Sequence, residues 1–206
     1  MSKPSGQWSL VRVFLWLCLL SIIMLPILWT HVVNGQQEQS GARIESLDLS
    51  RERGNYLLSA NISLNLGNEV RNAAERGVPL FFTISLEIIR PEKFWFDKTE
   101  LSQRQTWRIQ YNALLRQWRI STGDFSTPEL SLDDSLQHIV HLDNWPLSNF
   151  EQLESNRLYE ARLRLELDTS LLPRPFQINA FNSSAWSLST PWKNLTFRVS
   201  DIKPGS

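Results

Sequence analysis

The sequence predicts a mainly β fold: an antiparallel β-sandwich-like domain with two short helices, preceded by one N-terminal transmembrane helix. Three observations predict it. Apolar and polar residues alternate with a period of two over about seven stretches, the pattern of strands with one buried face. Clusters of Gly, Pro, Asn and Ser separate those stretches at turn-like intervals. The third observation is the run Val13 to Val33 (VFLWLCLLSIIMLPILWTHVV), in which no Asp, Glu, Lys or Arg falls between Arg12 and Glu38. At ~1.5 Å per residue it is long enough for one helical crossing of a ~30 Å hydrocarbon core.

Lys3 and Arg12 precede this run, and the next basic residue is Arg43. The asymmetry leaves residues 1–12 in the cytoplasm and exports the remainder of the chain. A cleaved signal peptide is the competing reading, but its apolar core normally spans ~7–15 residues and ends in a small-x-small site. Here the run ends in Trp29, Thr30 and His31, with Val33-Asn34-Gly35 as a weak site. A retained anchor fits better. Pro26 is compatible with a span, and Leu17 before Cys18 argues against a lipoprotein. Residues 34–41 (NGQQEQSG) read as a polar linker, 42–200 as the exported β-rich domain and 201–206 as a flexible tail.

The chain carries 21 Lys+Arg against 21 Asp+Glu. That balance gives no basis for a nucleic-acid partner. The one cysteine, Cys18, lies inside the apolar run, so the exported part has no disulfide and depends on its apolar core. Its length suits one domain with a sizeable core.

In chain order, Ala42 to Ser50 and Tyr56 to Leu66 read as strands around Arg51-Glu52-Arg53-Gly54-Asn55. Asn68 to Arg76 reads as a short helix, with Asn68 as N-cap and Gly77 as its stop. Val78 to Arg90 is the longest strand, ended by Pro91. Gln105 to Tyr111 and Leu115 to Ser121 form a hairpin. A four-residue turn, pairing Trp107 with Ile120 and Ile109 with Trp118, matches apolar with apolar better than a two-residue turn does. Arg108 and Arg119 then share the opposite face. Thr122 to Pro128 reads as a loop, and Ser131 to Leu142 as an N-capped amphipathic helix. Leu147 to Asn156 is irregular, Tyr159 to Asp168 alternates strictly, Pro173 to Ser184 is a long connection, and Leu195 to Val199 closes the sheet.

Several of these stretches recur together in one order. They are Gly77-Val78-Pro79-Leu80-Phe81-Phe82, Arg90-Pro91 with Phe94-Trp95-Phe96-Asp97, Tyr111-Asn112-Ala113-Leu114 with Trp118-Arg119-Ile120-Ser121-Thr122-Gly123, and Leu167-Asp168-Thr169-Ser170 with Leu172-Pro173-Arg174-Pro175-Phe176-Gln177-Ile178-Asn179-Ala180. With them the chain resembles the bacterial DUF4390 family from about Arg43 to Val199. The resemblance implies a Gram-negative envelope protein of uncharacterised function; with the apolar run and the basic residues before it, the expected location is the inner membrane, single-pass with the C-terminal domain in the periplasm. It brings no catalytic, cofactor-binding or metal residues to carry over. Genes of the family often stand beside one for a nitrogen-regulation-type sensor histidine kinase, which suggests a partner.

The residues themselves favour interaction over catalysis. There is no Gly-x-Ser-x-Gly elbow, His-Glu-x-x-His pair, Gly-rich phosphate loop or exported cysteine, the usual carriers of nucleophilic, metal or phosphoryl chemistry. Asp134, His138 and His141 share one helical face and invite a metal reading, yet a solvated face explains them more simply. No metal or cofactor is expected. Phe94, Trp95 and Phe96, with Arg90, Lys93 and Lys98 around them, combine apolar area with cationic rims, as protein contacts and sugar platforms do. Three adjacent aromatics on an extended chain cannot all enter one core. A second candidate is the hairpin face with Arg104, Arg108, Gln117 and Arg119, suited to an acidic partner. The expected function is therefore a non-catalytic interaction or sensory-accessory module, with a periplasmic module that binds lipid, glycan or another small ligand between its sheets as the alternative.

Overall fold

The computed structural model describes residues 41–92 and 97–204. Its elements are β1 (Gly41–Glu52), β2 (Asn55–Asn65), α1 (Asn68–Glu75), β3 (Leu80–Arg90), β4 (Lys98–Asn112), β5 (Gln117–Thr122) and β6 (Phe125–Glu129), then α2 (Leu132–Val140), β7 (His141–Pro146), β8 (Leu158–Leu167), α3 (Arg174–Phe181) and β9 (Lys193–Arg198). They form a three-stranded sheet in the order β1-β2-β7 and a six-stranded sheet in the order β6-β5-β4-β3-β8-β9. Every ladder between these strands is antiparallel. The predicted transmembrane span at residues 13–33 lies outside the described residues, among which no helix is long and apolar enough to cross a membrane.

The period-two pattern does what it predicts. On β3, Leu80, Phe82, Ile84, Leu86 and Ile88 are fully buried, and on β8 Tyr159, Ala161, Leu163, Leu165 and Leu167 join them. Ile44, Leu47, Leu58, Ala60 and Ile62 of the smaller sheet belong to the same buried cluster. The two sheets thus share one core. A stack of aromatics ties them: Phe150 lies 4.3 Å from the Tyr56 ring on β2 and 5.8 Å from the Phe197 ring on β9.

The turns follow their residues. Arg53 and Gly54 both have positive φ, 49° and 88°, and Glu52 pairs with Asn55, a two-residue turn whose twist suits the hairpin. Gly77 ends the α1 turn at φ +91°, donating its N–H to the Ala74 carbonyl (2.9 Å). Ser131 caps α2, accepting from the Asp134 N–H at 3.0 Å.

Several expectations need correction. Three α-helices are present among the described residues, the third being α3 inside the segment expected as a connection. Pro173 and Pro175 flank Arg174 at its start, where proline leaves no helical hydrogen bond unmade. Thr122 to Pro128 turns over at Gly123 and continues as β6, paired with β5 from Thr122↔Phe125 to Trp118↔Glu129. Pro128 is accommodated because β6 is an edge strand. Leu142 belongs not to α2 but to β7, which pairs with β2. The β4–β5 turn does hold four residues, 113–116, but it starts one residue later than expected. Ile109 therefore faces Ile120, and Tyr111 faces Trp118. The capping residue of α1 is also Gly67 rather than Asn68, with no side-chain bond.

Candidate interaction site

Alternation that buries one face of the larger sheet places a second set of residues on the other. On β8 these are Glu160, Arg162, Arg164 and Glu166; on β4, Arg104, Arg108 and Gln110; on β5, Gln117, Arg119 and Ser121. The outer face divides by charge. On the β8 side the guanidinium groups are matched: Arg162 to Glu160 at 3.0 Å and to Asp97 at 3.4 Å, Arg164 to Glu166 at 3.4 Å, and Arg104 to Glu166 at 3.7 Å.

On the β4–β5 side they are not. Arg108 donates to the Gln110 side chain and sits 6.0 Å from the centre of the Phe81 ring. Arg119 donates to the Ser126 hydroxyl at 3.3 Å. Among the described residues neither has a carboxylate within ion-pair distance. The register Arg108↔Ser121 and Gln110↔Arg119 makes them diagonal neighbours, about 7–8 Å apart at the backbone. The strip is preorganised, because Phe81, Gln110 and Ser126 hold the two forks while leaving them exposed.

The remaining sequence candidates lie elsewhere. Lys98 opens β4 far from Arg108 and pairs with Glu100 at 3.1 Å. Phe94, Trp95 and Phe96 lie outside the described residues. Asp134, His138 and His141 do not converge: His138 meets Glu129 at 2.6 Å, His141 meets the Asn61 side chain at 3.0 Å, and Asp134 accepts from Ser131 at 2.6 Å. Three exposed residues at i, i+4 and i+7 share a helical face only while the helix lasts, and His141 already belongs to β7.

Two features were missed. A cleft of ≈ 370 Å³ opens beside α1 and α2, lined among others by Arg71, Glu75, Tyr111, Trp118 and Asp133. Arg71 and Asp133 are paired across it at 3.0 Å, and the Tyr111 and Trp118 rings meet at 5.2 Å. The pairing of Tyr111 with Trp118 follows from the register alone, so a correctly placed turn would have signalled it. The second feature is a group of exposed apolar side chains on the connections at one end of the larger sheet: Leu114, Leu115, Leu130, Ile178 and Phe181. Their sequence signal was weak, because isolated apolar residues in loops are common.

A protein-family model described as a domain of unknown function (DUF4390) matches residues 39–196. No curated protein and no solved structure matches the chain.

Proposed function

The chain belongs to the DUF4390 family, and we propose that it is a non-catalytic, membrane-anchored periplasmic interaction or sensory-accessory module that docks an acidic surface of another envelope protein. A sensor histidine kinase is the candidate partner. The observation that carries this reading is the pair Arg108 and Arg119, exposed, adjacent and without carboxylate partners among the described residues, on a face whose other arginines are matched. A guanidinium fork held in place by neutral neighbours is ready to bind a carboxylate bidentately. Unmatched like charges on one face also steer an acidic partner during encounter. The anchoring part of the reading rests on the Val13 to Val33 run and the basic residues before it.

The test is recovery of bound proteins from detergent-solubilised membranes, using the full chain and the variant Arg108→Glu with Arg119→Glu. The reading expects one acidic envelope protein whose recovery falls at least tenfold with the variant and with a rise from about 50 to about 500 mM salt, because the contact is solvent-accessible. Lys98→Glu should change little. Equal recovery by wild type and the double variant would refute it.

The cleft favours a second reading, a small-ligand site, since its volume falls within the range of about 300–1,000 Å³ typical of such sites and it combines aromatic and charged walls. Native mass spectrometry across lipid and glycan panels tests this. A ligand retained by wild type and lost in Trp118→Ala would support it, and bare protein throughout would count against it.

A further inference from the structure

The cleft beside α1 and α2 has walls of three kinds, and each follows from local structure. Val70 and Ala74 are the buried residues of α1, which leaves Arg71 and Glu75, one residue further round, to share the face at the cleft as an i, i+4 pair. Tyr111 and Trp118 stand directly opposite each other on β4 and β5, with their rings tilted by 47°. Asp133 belongs to the first turn of α2, and Leu132 before it adds apolar surface. The ion pair of Arg71 with Asp133 at 3.0 Å ties α1 to α2 and fixes the width of the opening.

Charge decides what the cleft can hold. Its walls carry one guanidinium, Arg71, and two carboxylates, Glu75 and Asp133. Arg71 and Asp133 cancel. Glu75 is exposed and has no ion-pair or side-chain hydrogen-bond partner among the described residues. The N-terminus of α2 adds a partial positive charge of about 0.5, but its first turn carries Asp133 and also Asp134, which keeps its charge while accepting from the Ser131 hydroxyl. Arg76 and Arg116 do not reach the walls. The lining is therefore net negative, and an anionic ligand would be repelled.

The aromatic walls act in the same direction. The face of an aromatic ring is negative and attracts a cation, most strongly for Trp. Trp118 is only 7% exposed, so it offers too little open face to serve as a platform for a sugar ring. It can still line one side of a small apolar group.

We infer that the cleft takes a small organic monocation, an ammonium group carried on an apolar body, with the ammonium against Glu75 and the body against Tyr111, Trp118 and Leu132. The inference rests on the second reading above, that the cleft is a small-ligand site, and names the chemistry of its ligand.

The experiment compares three probes that share one apolar body and differ in charge: phenethylamine, phenethyl alcohol and phenylacetate. Each is titrated into the full chain in neutral maltoside micelles with nitrogen-15-labelled tryptophan, and the Trp118 indole signal, assigned with Trp118→Phe, reports occupancy. The amine should shift that signal saturably and bind about tenfold more tightly than the alcohol, from one ion pair and one cation–π contact; the acid should bind more weakly still. Glu75→Gln, at an exposed position, should weaken the amine at least threefold and leave the alcohol and the melting temperature unchanged. Saturable binding of the alcohol or the acid as tight as that of the amine would overturn the inference and leave the cleft a ligand site. Amine binding unchanged by Glu75→Gln would overturn it in the same way. No shift of the Trp118 signal with any of the three probes would remove the small-ligand reading, and the inference with it.

Discussion

Replacing Phe150 by alanine should be among the most destabilising single changes in the domain. The ring is fully buried, yet it comes from a short 3-10 turn, Phe150–Gln152, rather than from a strand. It stacks on Tyr56 of the smaller sheet at 4.3 Å and 27°, and on Phe197 of the larger at 5.8 Å and 23°. Its removal therefore opens a void between layers that rigid strands on both sides close only partly. Phe→Ala in a packed core costs about 3–5 kcal/mol, a large share of a net stability of about 5–15 kcal/mol. For a domain of this size each kcal/mol moves the melting temperature by about 2–4 °C, so a fall of about 6–20 °C is expected. Phe125→Ala, at a ring 80% exposed, should stay within about 0.5 kcal/mol of wild type. Urea denaturation of the full chain in micelles, followed by near-ultraviolet circular dichroism, measures both. A loss below about 1 kcal/mol for Phe150→Ala would show that the stack does not join the sheets.

Three further outcomes rest on local bonding. Thr190→Val should cost about 1–3 kcal/mol by the same assay, because the Thr190 hydroxyl accepts from the buried Leu165 N–H at 3.1 Å and valine leaves that donor unsatisfied. Ser131→Ala should cost about 1 kcal/mol through loss of the α2 cap, and Ser131→Asp should restore most of it. Gly77→Ala should destabilise by roughly 1–2 kcal/mol from backbone strain at positive φ, since the nearest atom to an added Cβ, the Tyr111 carbonyl oxygen at 3.8 Å, presents no clash. Amide exchange in α1 should accelerate in that variant.

Strands with a buried face could be read directly. Leu58, Ala60 and Ile62, or Leu163, Leu165 and Leu167, declare their orientation because every second residue is polar. The outward placement of Arg108 and Arg119 was legible for the same reason, since it depends on parity and survives the shift in the β4–β5 turn. What parity cannot give is the partner. Nothing local distinguishes Arg104, matched across the sheet by Glu166, from Arg108, which faces only Gln110 and Phe81. Strands β6 and β7 escaped because they are short, rich in polar residues and lie at sheet edges, where pairing on one side replaces burial as the cause of extension. Helix α3 escaped because its two prolines read as breakers, although at a helix start they cost nothing. The apolar end became visible only once strand order brought Leu114, Leu130 and Phe181 to the same side of the sheet.

The central claim is that the guanidinium strip is a contact surface, and a photo-crosslinker at Gln117 in living cells tests it most directly. Gln117 is exposed, on the same strand and face as Arg119, and leaves both arginines in place. A single recurrent protein adduct that disappears with Arg108→Glu and Arg119→Glu, at unchanged protein level, is the predicted result. The same adduct persisting in the charge-reversed protein, or no adduct from a well-folded probe variant, would contradict the claim.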